Sequence, residues 1–150
     1  MSRTVWLFDS FQGMPETTPE DGDAYDGHTA EDHIGKEVGD PARVKEVLQM
    51  VGADLSRVRI IPGWFQDTFR SVSTSVSQIA LLNIDADWYR SVKLCLETFY
   101  DRVVPGGFVS FDDYGHWPGC RTAVDEFFRG RQLPYKLNTV DYTAHWFRKG

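Results

Sequence analysis

The sequence predicts an α/β fold, a mostly parallel sheet with helices packed on its faces, and three observations carry that expectation. Four short apolar runs, residues 5–8, 58–61, 79–84 and 108–111, have the length of buried strands. Between them lie stretches with apolar residues at helical spacing, and strands alternating with helices favour parallel pairing through right-handed crossovers. The run "IALLNI" is apolar except for Asn83, the pattern of a strand covered on both faces.

The elements follow in order. The strand at 5–8 is closed by "DSFQGMP", where Gly13 and Pro15 punctuate a turn. Residues 16–40 are rich in carboxylates and poor in large apolar side chains, which predicts a solvated acidic loop or lid that adds little to a core. Asp40 then suits an N-cap and Pro41 the first helical position. Val44, Val47, Leu48 and Val51 mark one helical face, and Gly52 ends it. After the strand at 58–61, "PGWFQDTF" turns into a short helix. After the strand at 79–84, Val92, Cys95, Leu96, Phe99 and Val103 share a helical face that "PGG" at 105–107 terminates. The strand at 108–111 leads to a helix over 119–129 with Gly130 as its stop. Residues 135–140 and 145–148 close the chain as an antiparallel hairpin around "DYTA".

A chain of 150 residues with 41% hydrophobic content is long enough for one core and short for two, so a single domain over 1–150 is expected. The 22 acidic against 16 basic residues, a net charge of -6, argue against nucleic acid or an anionic membrane as partner. A small ligand or a metal fits better. No run has the length of a membrane span and the first residues lack a signal-peptide pattern, so a cytoplasmic location is the default expectation. Cys95 and Cys120 show no metal spacing and read as buried free thiols.

Ligands of open α/β sheets bind outside the carboxyl ends of the strands. The residues there are Asp9, Gly63 with Trp64, Asp85 with Asp87, and Asp112 with Asp113. Carboxylates crowded into one crevice resist ionisation unless a cation offsets them. An all-oxygen set points to a hard ion such as Mg²⁺. The competing reading is that these aspartates cap helices and turns, but capping needs only one Asp per helix. Asp9 could accept ribose hydroxyls or form a turn, and Trp64 and Phe65 could flank a flat base or belong to the core.

The blocks "VWLFDSFQGMP", "IIPGWFQDTF", "IALLNIDADWYRSVKLCLETFYDRVVPGGFVSFDDYG" and "GCRTAVDEF" together resemble the TylF/MycF-like family of S-adenosylmethionine-dependent O-methyltransferases, which methylate sugar hydroxyls in macrolide and aminocoumarin biosynthesis. The likeness runs from about Val5 to Lys149. It implies a class I methyltransferase-like, Rossmann-like sheet and two ligands, S-adenosyl-L-methionine and Mg²⁺. It assigns the cofactor ribose to Asp9 and the adenine surroundings to Gly63, Trp64 and Phe65. Metal ligation falls to Asp85, Asp112 and Asp113, and Asp87 matches a proposed general base. The acceptor is expected to be a small molecule with a sugar or secondary-metabolite hydroxyl.

One departure from the family pattern bears on the fold. The chain starts at what is the family's second strand and lacks the first βα unit with its glycine-rich loop, which would lie between the strands ending at Asp9 and Asp85. Either the chain is part of a longer protein, or those two strands pair directly, or another chain or a second copy supplies a strand. Two alternatives to the methyltransferase stay open on residues alone: a DxD-type glycosyltransferase using a nucleotide sugar, and a non-catalytic metal- or ligand-binding remnant.

Overall fold

The computed structural model describes residues 3–150, and six strands and four α-helices follow one another in the expected alternation. They are β1 (Val5–Asp9), α1 (Pro41–Met50), β2 (Val58–Pro62), α2 (Phe65–Val72), β3 (Ile79–Ile84), α3 (Tyr89–Phe99), β4 (Val103–Phe111), α4 (Pro118–Gly130), β5 (Asn138–Thr139) and β6 (His145–Arg148). Strands β1 and β2 pair in parallel as one ladder. Strands β3, β4, β6 and β5 form a second sheet in that order, with β3 and β4 parallel and β6 antiparallel to both its neighbours.

The strands ending at Asp9 and Asp85 do not pair with each other. Each leaves one edge without a ladder partner among the described residues. The two sheets are joined instead through side chains. The Phe8 ring of β1 packs edge-on against Phe69 of α2 at 5.1 Å and lies 5.7 Å from Phe99 of α3. The main core lies between β3–β4 and helices α3 and α4. Val92, Leu96, Val109, Phe111, Val124 and Phe128 are its fully buried members. Cys95 and Cys120 are buried free thiols, as expected, and burial pushes the Cys95 thiol up to about 12.

Three departures from the sequence expectations have physical causes. The "PGG" segment does not lie before the strand but inside it. β4 begins at Val103, and its register on β3 jumps from Ile79–Val103 to Leu81–Phe108, so Pro105–Gly107 bulge out of the ladder. Gly106 takes φ +79, and a Cβ on Gly107 would press on Val104 O and Ala80 O. Helix α1 forms, with Ala42 N donating to Asp40 Oδ1 at 2.8 Å, but none of its residues is buried and Val47, Met50 and Val51 are exposed. Periodicity identified an apolar face; burial also needs a surface opposite it.

The third departure concerns the acidic segment 16–40. It is irregular apart from a short 3₁₀ turn, Ala30–His33, yet Ala24 and Ala30 are buried and Asp21 is fully so. The Asp21 carboxylate accepts hydrogen bonds from Thr18 N, from the Thr18 hydroxyl at 2.9 Å and from Tyr89 N, the first residue of α3. Its carbonyl accepts from Gly119 N at the start of α4. A Cβ on Gly119 would collide with Asp21 Oδ1, so glycine is required for this approach. Trp88 adds a second tie from α3 to the segment after β1, donating Nε1–H to Pro15 O at 3.0 Å.

Removing this carboxylate strands three donors, each hydrogen-bonded to a charged group. Asp21→Ala is therefore expected to lower unfolding stability by roughly 2–4 kcal/mol, and Asp21→Asn by roughly half that. Urea denaturation reads both; a loss below about 0.5 kcal/mol for Asp21→Ala contradicts the assignment.

Candidate active site at the carboxyl ends of the strands

Residues leaving β1, β2, β3 and β4 converge on one end of the sheets. Gly63 N donates to Asp9 O at 2.9 Å, which ties the ends of β1 and β2 together, and Asp112 N donates to Ile84 O at 2.9 Å between the ends of β3 and β4. Asp9 turns the chain by accepting from Phe11 N and remains exposed. Its charge reaches Asp85 across the opening between β1 and β3. Gly63 sits at φ +130, where glycine is favoured, and a Cβ there would press on Thr68.

The carboxylates of Asp85, Asp87 and Asp113 offer oxygens that all lie within 4.8 Å of one another. Asp85 is exposed, Asp87 half-buried and Asp113 buried. Burial is the main cause that raises Asp113 to about 8, with the Asp87 charge next and the hydrogen bond shared with Asp87 after it. Burial likewise raises Asp87, to about 6, partly opposed by that same hydrogen bond. The pair thus keeps one proton near neutral pH. Asp85 is raised too, by desolvation first and then by Asp112 and Asp9. Asp112 is exposed at the rim, outside the tight group but close enough to act on all three.

Asp87 does not cap the helix that follows it. It has φ +51, an unusual value for a residue with a side chain, and Trp88 N closes a three-residue turn onto Ala86 O. The N-cap position of α3 is Trp88, which makes no side-chain cap, and the donor at Tyr89 N goes to Asp21. The remote cap leaves the Asp87 carboxyl turned to Asp113. Sequence spacing gave no sign of Asp21, which stands 68 residues from Tyr89 within a run of other acids.

The remaining expected site residues divide. Trp64 is half-buried just before α2, and its carbonyl accepts from Asp67 N, Thr68 N and the Thr68 hydroxyl. The Phe65 ring instead stacks on Phe69 at 4.8 Å, in a groove on the α2–α3 side lined also by Gln66, Arg70, Leu94 and Thr98. Trp88 and Trp117 are buried and meet edge to face at 4.8 Å, so they are packing beneath the site, whereas Tyr89 and His116 stay partly exposed.

The donor set is suited to a hard divalent ion: every group is a carboxylate, and Asp113 Oδ2 is buried with no hydrogen-bond partner. The raised carboxyls also carry a linkage consequence. Between the unfolded value near 4 and the folded value near 8 the native chain binds more protons than the unfolded one, so the ion-free chain loses stability as pH rises through that window. Asp113→Asn is expected to flatten this slope and to melt higher than the parent at pH 8, by ~2–4 °C for each kcal/mol relieved. Equal pH slopes for the two proteins in calorimetry would count against the shared proton.

Comparison with known proteins places this geometry. The 8-demethyl-8-(2,3-dimethoxy-alpha-L-rhamnosyl)-tetracenomycin-C 4'-O-methyltransferase of Streptomyces olivaceus is 35% identical over 149 residues, 98% of this chain and 55% of that protein. The demethyldecarbamoylnovobiocin O-methyltransferase of Streptomyces niveus is 37% identical over 149 residues, again 98% of this chain and 55% of that protein. The solved structure of the O-methyltransferase NovP superposes with a TM-score of 0.82 at 29% identity, over 99% of this chain and 61% of that one. The fold is accordingly class I methyltransferase-like, and the chain spans about half the length of the curated relatives it matches. A family model described as macrocin-O-methyltransferase (TylF) matches residues 1–149, and the chain belongs to that family.

Proposed function

We propose that this chain carries the metal- and acceptor-binding side of an S-adenosylmethionine-dependent O-methyltransferase that acts on a sugar or secondary-metabolite hydroxyl. The observation that carries the reading is the convergence of the Asp85, Asp87 and Asp113 carboxylates, with oxygens within 4.8 Å of one another at the strand ends. The names of the relatives, both O-methyltransferases of antibiotic molecules, support the reaction class.

Asp85, Asp112 and Asp113 are the proposed holders of Mg²⁺, with Asp113 Oδ2 buried and without a hydrogen-bond partner among the described residues. A bound divalent ion would make an acceptor hydroxyl more acidic and fix its position. Asp87, held above the usual carboxylate range, is matched to take that proton near neutral pH. When bound, S-adenosylmethionine would supply the methyl group to the acceptor oxygen and leave as the neutral sulfide, and an Asp87 oxygen would receive the hydroxyl proton. Asp9, Gly63, Trp64 and Phe65 are the proposed cofactor side. The Asp9 carboxylate at the end of β1 and the bare backbone of Gly63 suit a ribose and a close base, while Phe65 acts through its packing on Phe69. The unpaired edges of β1 and β3 leave room for a further strand from another copy or another segment.

Calorimetric titration with Mg²⁺ tests the division of labour. Asp85→Ala and Asp112→Ala should each abolish binding, and Asp87→Ala should keep it while any methyl transfer falls by about 10²–10⁴. Unchanged Mg²⁺ affinity in Asp85→Ala refutes the metal assignment, and lost affinity in Asp87→Ala makes that residue a ligand rather than the base. The cofactor side is tested by titration with S-adenosylhomocysteine. Binding should be measurable, tighter with Mg²⁺, and weakened by Asp9→Ala; no binding at millimolar ligand contradicts it.

A further inference from the structure

A second set of metal-ligating side chains lies apart from the carboxylate group. Asp26 and His28 in the acidic segment and His116 in the loop after β4 present ligand atoms that are all within 4.8 Å of one another. Two imidazoles and one carboxylate make a nitrogen-rich set, chemically different from the all-oxygen group beside it. From these three residues we infer a separate site for a divalent transition ion of the zinc type, with water completing a tetrahedral shell.

The backbone already brings the two segments together. Tyr25 N donates to His116 O at 3.0 Å, Ala24 N donates to His28 O at 2.9 Å, and Gly27 N closes a turn onto Ala24 O at 2.9 Å. Those bonds hold residues 24–28 against the β4–α4 loop. A tetrahedral shell with zinc–ligand bonds near 2.0–2.1 Å has donors about 3.3 Å apart, so the three side chains, now within 4.8 Å of one another, would draw together around the ion. Asp26 Oδ2 and His28 Nδ1 are 2.9 Å apart already. The Asp26 carboxyl is held below the usual range, first by the backbone N–H of His28. The other ring nitrogen of His116 has an outer partner as well: Nδ1 lies 3.3 Å from the Tyr142 hydroxyl, which leaves Nε2 for the ion.

An ion here would clamp the acidic segment to the loop that bears Asp112 and Asp113, fixing one wall of the neighbouring site. The clamp does not depend on the proposed methyl transfer. Its chemistry would hold in a chain with no transferase activity.

Zinc titration by calorimetry in excess Mg²⁺, which occupies the carboxylate group, is the test. One zinc per chain should bind in the micromolar range at pH 7.5. His28→Asn, His116→Asn and Asp26→Asn should each weaken it at least tenfold. His145→Asn should leave it unchanged. Circular dichroism of these surface variants checks that each remains folded. No zinc binding, parental affinity in His28→Asn and His116→Asn, or loss of affinity in His145→Asn each overturns the site.

Discussion

One buried carboxylate organises the active end of this protein. Asp21 closes the first turn of α3 from 68 residues away and receives the first turn of α4 through its carbonyl. A helix start is usually satisfied by the residue just before it. Here that duty is moved to a distant segment, and the two residues before α3 are released for other work. One is Trp88, which fills the space beneath the site against Trp117. The other is Asp87, held at positive φ with its carboxyl against Asp113. The acidic segment therefore belongs to the frame of the site: without it α3 would need a local cap, and Asp87 is the nearest candidate.

The electrostatics follow from that placement. Asp85, Asp87, Asp112 and Asp113 leave two adjacent parallel strands, so the topology forces negative charge together where the strands end and helices α3 and α4 begin. The ion-free chain reduces the repulsion by keeping a proton between Asp87 and Asp113. A divalent cation would satisfy the same charge more completely and would reach the buried Oδ2 that the proton leaves unpartnered. An all-carboxylate donor set of this kind is suited to small, hard, doubly charged ions.

Much of the fold was legible in the residues because its signals are local. Apolar runs gave β1 to β4, periodicity gave α1, α3 and α4, a turn signal gave α2, and the strand ends gave the carboxylate cluster. The places where reading failed depend on partners distant in sequence. Asp21 reads like the other acids of its segment because, apart from Thr18, its partners Tyr89 and Gly119 lie far off in sequence. Pro105–Gly107 read as a stop because proline and glycine break helices, yet the same residues make a bulge when an edge contact with Arg148 Nε, donating to Gly106 O at 3.0 Å, holds them. The α1 face at Val47 and Val51 has the periodicity of a buried helix and lies exposed, since no described element covers it. Phe65 sits next to the expected base-binding tryptophan but points to Phe69, a matter of helix phase that composition does not encode.

The most direct test of the account is where a cation sits. In a crystal of the chain soaked with Mn²⁺ as a Mg²⁺ substitute, the anomalous difference map should show one peak within coordinating distance of Asp85, Asp112 and Asp113. Asp87 should lie outside the ligand shell, facing the acceptor side. A peak coordinated by Asp87, or saturating Mn²⁺ with no peak at the strand ends, would contradict the separation of metal ligands from base on which the proposed chemistry rests.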